Sequence, residues 1–505
     1  MPGRRSRHSL VAVAALLLMT GASLTTEGTG AAAQAQACIA SGDTAGITAA
    51  LSGQGTAAVL CQNATYDLTA PITFTAPDQE IYTEGQPTGS ARATLVVTGS
   101  DQSEAIEGDN ESGITIENVQ VNGNRPALGR IAGGGALIEI GGNVTGQTVQ
   151  YVNAYETRGW STLHITEGTV TNNVEACQDA KILDNTISDA GTDTSGDWAD
   201  GVSLSCGDSE VEGNSVTNAT DGGIVVFGSP GSTIEGNTIT AVSQNELGGI
   251  NMVDYAPVSG NYTGTKVTDN VIDGESALIK VGIAMGPQVW GCGSGTNYGG
   301  TVTGNTVEGE NVAYGYAVNG VSDWTVTGNT NTARHVGVTS AGCGGATSQP
   351  GAFQVASASS STLQSQFVSG QSLEYVLGVS EPAILLAPQP ATACGTLTAS
   401  QGLYPGQSLT SCDGRLTLTM QGDGNLVLYF NGTALWSSGT AGQPSAEALM
   451  QGDGNVVIYS DTGTSLWTTG TAGNSGASLA LQNDGNLVVY SASGTALWSS
   501  GTCCH

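Results

Sequence analysis

The chain has 505 residues, with 75 glycines and only 5% aromatics, which is more sequence than one hydrophobic core organises, so two or more domains are expected. Its 12 basic residues face 43 acidic ones, a net charge of −31, which makes nucleic acid and anionic membranes poor partners. The first stretch, MPGRRSRHSLVAVAALLLMTGASL, has a basic start and a short apolar run, and small residues ending AAAQAQA follow. This pattern predicts a secretion signal over 1–37, cleaved after Ala35 or Ala37, and no later run has the apolar length of a membrane span. The expected mature protein is secreted, extracellular and without membrane insertion. Losing three arginines and one glutamate with the leader makes it more acidic still.

Ten cysteines, at 38, 61, 177, 206, 292, 343, 394, 412, 503 and 504, form an even set without close C-x-x-C pairing. In an exported chain this predicts disulfides rather than a metal site. Sequence neighbours suggest Cys38 with Cys61, Cys177 with Cys206 and Cys292 with Cys343, while the last four are open. GDTAGITAALSGQG, from Gly42, reads as a short helix covering the open end of whatever follows.

From about residue 100 to 345, short β-rich runs alternate with Asn/Gly turns: GITIENVQV, KILDNTI, SEVEGNSV, STIEGNTI, TKVTDNVI, GTVTGNTV and WTVTGNT. Apolar residues alternate with Thr, Glu or Ser, so successive side chains point in and out. The recurring asparagines are Asn118, Asn185, Asn214, Asn237, Asn270, Asn305 and Asn329. Some lie 23 or 24 residues apart and others 29 to 35, as in a coil of constant circumference with occasional insertions. Asn tolerates a left-handed backbone at such turns, and its amide can bond to the Asn one coil above. The pattern resembles the right-handed parallel β-helix of the pectate-lyase-like superfamily, here assigned to 38–375. That resemblance implies a fold rather than a substrate.

Residues 376–393, ending EPAILLAPQPATA, read as a linker. Beyond them QGDGNLVLY, QGDGNVVIY and QNDGNLVVY recur, with Trp436, Trp467 and Trp498 spaced 31 apart. Read as a strand, Gln421, Asp423, Asn425, Val427 and Tyr429 share one face, and Leu426 and Leu428 the other. A line of amides, a carboxylate, an aliphatic group and a phenol matches a sugar, which needs several fixed donors and acceptors and a small apolar contact. Gln-x-Asp-x-Asn-x-Val-x-Tyr resembles the signature of the bulb-type, monocot mannose-binding lectins, over 394–505. The resemblance implies a β-prism of three sheets with pseudo-threefold symmetry and tryptophans at its centre. It also implies one mannose pocket per sheet: Asp423 and Asn425 on the axial 2-hydroxyl, Gln421 on the 3-hydroxyl, Tyr429 on the 4-hydroxyl and Val427 against the ring. The second pocket would use Gln451, Asp453, Asn455, Val457 and Tyr459, and the third Gln482, Asp484, Asn486, Val488 and Tyr490. Mannose-bearing polysaccharides or glycoprotein glycans are therefore the expected partners.

Chemistry in the coils is suggested by SDAGTDTSGDWADGVSLSC and NATDGGIVVF. Asp200 and Asp221 stand 21 residues apart, each before Gly and an apolar strand, so they are expected in register on adjacent coils, about one strand spacing apart. Paired carboxylates suit acid/base work on a glycosidic bond or Ca²⁺ binding, with Asp197 nearby and Trp198 as a stacking surface. Asp before Gly is also ordinary turn chemistry. The Asn-Thr-Asp, Asp-Asp, Gly-His-Gly and Arg-Ile-Lys motifs of polygalacturonases are missing, so that family is not supported. Arg158, Lys181 and Lys280 are the few cations a lyase acting on uronates could use, and His164 and His335 look structural.

The expectation is thus an all-β, secreted carbohydrate-active protein: a right-handed parallel β-helix that hydrolyses a neutral polysaccharide with Asp197, Asp200 and Asp221, followed by a β-prism that binds mannose. Two alternatives stand beside it, a non-catalytic lectin or adhesin with the solenoid as scaffold and a polysaccharide lyase. No bound metal or other cofactor is expected, calcium being the ion such carboxylates could take, and the oligomeric state is left open.

Overall fold

The computed structural model describes residues 37–505 apart from 194–195, 336–342, 344–349, 379–393, 399–400, 444–445, 452, 461–464 and 505. The expected signal segment and nearly all of the expected linker lie outside the described residues. Residues 38–505 form one compact unit. Among the described residues no helix is long and apolar enough to cross a membrane.

The first part is a parallel β-helix whose strands fall into sheets of 11, 10 and 12 strands. A typical coil contributes one strand to each sheet. Lys181–Leu183, Thr186–Ala190 and Asp200–Leu204 are followed one coil later by Glu210–Glu212, Ser215–Ala219 and Gly222–Val226. Parallel register stacks like on like: Ile182 on Val211, Val211 on Ile234, Ile234 on Val267, Val267 on Val302 and Val302 on Val326. All six are fully buried, which is why the sequence alternates there.

The asparagines form a second column. Nδ2 of Asn185, Asn214, Asn237, Asn270 and Asn305 donates to Oδ1 of the next Asn at 2.9, 2.8, 2.9, 2.9 and 3.0 Å. Asn329 ends the column, its backbone N–H donating to Gln364 Oε1 at 2.9 Å. The left-handed residue is not the ladder Asn itself, as expected from the sequence, but its predecessor: Asp184, Gly213, Gly236, Asp269, Gly304 and Gly328 all have positive φ. That residue turns the chain so that the Asn side chain points inward to the stack. Asn118 departs from the column; its own φ is 53° and its amide bonds to the carbonyls of Gln86 and Pro87.

Helix Thr44–Ala50 closes the first coil, capped by the Asp43 carboxylate on Gly46 N–H at 2.8 Å and inserting Ile47 into the core. The three expected disulfides are present, and Cys394–Cys412 adds a fourth. Cys503 and Cys504 are free.

The second part is a β-prism of three four-stranded antiparallel sheets. Each outer hairpin carries a bulge at the same place, after Leu428, Ile458 and Val489. Trp436, Trp467 and Trp498 meet edge to face with centroids 5.4, 5.8 and 5.6 Å apart, one from each sheet.

Candidate functional site

In the prism, the repeated motif is a turn leading into a strand, which corrects the reading of all nine residues as extended. Gln421 N–H donates to Asn425 C=O and Gly424 N–H to Gln421 C=O, and the strand starts only at Leu426. Gly424 sits at φ 86°, and a Cβ there would lie 1.8 Å from Gln443 O, so glycine is required. The turn, rather than the pleat, brings the polar side chains together.

Their hydrogen bonds repeat in all three copies. Gln Nε2 donates to the Tyr hydroxyl at 2.7, 2.9 and 3.0 Å in the Gln421, Gln451 and Gln482 copies. Asp423, Asp453 and Asp484 each accept the N–H of the following Asn on Oδ1. The Asn oxygen is taken by the facing loop, through Gly439 and Thr440 N–H for Asn425, Thr471 N–H for Asn455, and Gly501 and Thr502 N–H for Asn486. What remains is the same set three times: one carboxylate oxygen, one Asn amide donor, one Gln oxygen and a phenol. Val427, Val457 and Val488 lie within each strand beside it. The five residues are exposed to the same degree in each copy.

On the β-helix, the outer face of the third sheet carries a cavity of about 280 Å³ lined by Trp160, Asp200, Asp221, Phe227, Asp254 and Trp290, with Val225, Asn251 and Val253. Asp200 begins the strand Asp200–Leu204, and its Oδ2 accepts the Ser203 hydroxyl at 2.8 Å. Val202 pairs with Ile224, so Asp200 is level with Gly222, one residue past Asp221. The two carboxylates are on adjacent coils as expected, but offset by one position. Asp254, which sequence reasoning missed, follows strand Glu246–Met252 one coil further on, its carbonyl fixed by the Tyr262 hydroxyl and the Asn297 amide.

Burial dominates the electrostatics here. It raises Asp200 well above the usual carboxylate range, helped by the charge of Asp221 and opposed by the Ser203 hydrogen bond. Burial pushes Asp221 up to about 6, against the pull of Arg130. Burial and the charge of Asp221 push Asp254 up to about 7. Asp200 Oδ1, Asp221 Oδ1 and Asn251 Oδ1 are buried with no hydrogen-bond partner among the described residues. Three polar atoms left open around one cavity suit a polar ligand.

Asp197 is not among the lining residues; its carboxylate pairs with Arg130 at 3.6 Å and accepts the Thr192 hydroxyl. Trp198 packs against the cluster containing Leu247 and Val253 instead of walling the cavity, a role taken by Trp160, Phe227 and Trp290. Trp160 directly precedes the strand that pairs with Asp200, and Trp290 ends helix Pro287–Trp290, 39% exposed. Arg158 is buried and holds the carbonyls of Gly99, Ser100, Gln102, Leu128 and Gly129, which makes it structural. His335 is also structural, bonded to Ala313 O and Asn331 Oδ1. Among the described residues no group of three or more His, Cys, Asp or Glu is arranged to hold a metal ion.

No protein-family model and no curated protein matches the chain. Solved structures do. A monomeric monocot mannose-binding lectin from Gastrodia elata is 41% identical over 22% of this chain and 98% of its own, with a TM-score of 0.20. A Marasmius oreades lectin is 35% identical over 22% and 93%, TM-score 0.21. The snowdrop (Galanthus nivalis) mannose-specific agglutinin, solved with methyl-α-D-mannoside, is 34% identical over 22% and 99%, TM-score 0.19. About a fifth of this chain is therefore similar to lectins of the monocot mannose-binding kind, over nearly their whole length.

Proposed function

We propose that this chain is a secreted two-part carbohydrate-active protein, in which the prism, 394–505, holds mannose-bearing glycans and the β-helix, 38–375, hydrolyses a glycosidic bond in a non-acidic polysaccharide. The four disulfides are compatible with an extracellular setting. Mannose binding rests on the three identical turns, each with an open carboxylate oxygen and an Asn amide that can clasp one axial hydroxyl. An equatorial hydroxyl would not reach both members of that pair at once.

Hydrolysis rests on one observation: three carboxyls, one buried and two partly buried, and three aromatic rings around a single cavity. Asp221, at about 6 with Arg130 drawing it down, is the base or nucleophile, and Asp254, pushed up to about 7 and so about half protonated at neutral pH, is the acid that protonates the leaving oxygen. Asp200, raised by burial and by the charge of Asp221, adds a third carboxyl from the coil before. Arg158, spent on backbone carbonyls, is not available as the cation a lyase would use.

The test is incubation with mannans, glucans, fungal cell wall and pectins, following reducing ends and unsaturated-uronate absorbance together. New reducing ends that vanish in Asp221→Asn and Asp254→Asn support the hydrolase, and unsaturated products would replace it with a lyase. Retention on mannan with no cleavage of any polymer would leave a binder whose solenoid is a scaffold.

A further inference from the structure

A second cavity, of about 370 Å³, opens on the same outer face of the third sheet, toward the N-terminal coils. Strand register links the two: Glu107 pairs with Glu139, Glu139 with His164, His164 with Ser203, and Ser203 with Val225. From Glu139 to Val225 is three strand steps, on the order of 15 Å. Trp160 stands between the cavities, edge-on to His164 at 4.7 Å and to Phe227 at 6.4 Å. One wall thus serves both.

The linings differ in kind. Asp109, Glu139 and Glu167 line the second cavity, with no Arg or Lys. Burial, then the charges of Glu104, Asp109 and Glu167, raises Glu139, and Glu107 behind it is raised in the same way by burial and its acidic neighbours. Such repulsion is relieved by a cation. His164 is not that cation: burial lowers it to about 4, so it is neutral. Only 8% exposed, it presents Nδ1 without a hydrogen-bond partner, 4.0 Å from Glu139 Oε1. Glu139 Oε2 is already taken by Ala136 N–H, which leaves Oε1 open. An open carboxylate oxygen facing an unpartnered imidazole nitrogen across that gap accepts two N–H donors of one ammonium group. Around it, Asn110 and Asn143 spend their Oδ1 atoms on backbone N–H groups of the next coil, leaving Nδ2 for hydroxyls.

We infer that this cavity is a subsite for a sugar unit bearing a free, protonated amine, so that the polymer lying along the third sheet contains amino sugar. The inference rests on the reading of that face as a glycan groove. It names the substrate class as a cationic polysaccharide, which a chain of net charge −31 also attracts at long range. A sugar is favoured over a lysine-rich peptide because the cavity adjoins the Trp160 wall and offers amide donors for hydroxyls.

The experiment uses the full chain carrying Asp200→Asn and Asp221→Asn, so that nothing is cleaved, with excess methyl α-mannoside to occupy the prism. Calorimetry compares a glucosamine tetramer, its fully N-acetylated counterpart and tetralysine. The glucosamine oligomer should bind at least about tenfold more tightly than the acetylated one, and Glu139→Gln should remove that advantage, with Asp109→Asn as a second, more exposed probe. Equal binding of the two sugars, no loss in either variant, or equal and Glu139-dependent binding of tetralysine would overturn the proposal. Because binding is read without turnover, a protein that cuts no polymer can still pass, and an active hydrolase can still fail.

Discussion

A carboxyl whose proton is held more tightly in the folded state makes stability depend on pH in a definite direction. Asp221 and Asp254 are raised from 3.8 to about 6 and about 7. Between those values and the unfolded one the folded chain binds more protons, so stability is full below about pH 4 and falls as pH rises through 6 and 7. Asp254→Asn removes one such burden. It should raise the melting point at pH 8 by the equivalent of about 2–3 kcal/mol, less than the whole shift because some solvent contact remains, and change nothing near pH 4. It should also abolish cleavage. Thermal melts at the two pH values decide it: equal effects at both would mean the Asp254 carboxyl is not held protonated. Asp200 and Asp221 were legible in the sequence because each stands before Gly and an apolar strand. Asp254 follows its strand, in NMVDYAP, and shares no context with them, and the rings of Trp160 and Trp290 come from coils more than a hundred residues apart.

At the scale of elements, the solenoid was the most legible part, since the coils from Asn185 to Asn329 repeat the same apolar and Asn positions and parallel register stacks them. What alternation could not separate was turn from strand in QGDGN: a period of two in polar residues looks the same whether a pleat or an Asx-type turn produces it, and Asn425 N–H on Asp423 Oδ1 is the turn. The Asn column carries its own consequence. Asn237 receives two bonds from Asn214 and gives two, to Val211 O and Asn270 Oδ1. Truncating it strands buried donors and acceptors on two neighbouring coils, whereas Gln364 at the end of the column is partly open. Asn237→Ala should therefore cost about 3 kcal/mol, and Gln364→Ala about 1, in urea unfolding. Equal costs would mean the column is held by the flanking strands alone.

For the whole molecule, the two parts are not independent beads. Tyr404, in the prism, is buried in a cluster with Val253, Val281, Ala284 and Tyr314 on the outer face of the third sheet, Val289 of the short helix, and Leu373 and Leu377. Val253 also lines the carboxylate cavity. The prism is thus packed, through Tyr404, on a cluster that shares Val253 with the carboxylate cavity. Two consequences follow with different readouts. The Asp of each proposed mannose turn is exposed, so retention on mannan should survive Asp423→Asn alone yet fall about a hundredfold when Asp453→Asn and Asp484→Asn are added, because avidity needs several simultaneous contacts. Tyr404→Ala leaves all three turns intact and removes the anchor. Mannan retention should then be unchanged while cleavage of insoluble cell wall drops several-fold and cleavage of short soluble oligosaccharides does not, since only a polymer engaged at both ends senses the seating. If soluble and insoluble substrates are affected alike, Tyr404 supports the cavity through Val253 rather than the alignment of the two parts.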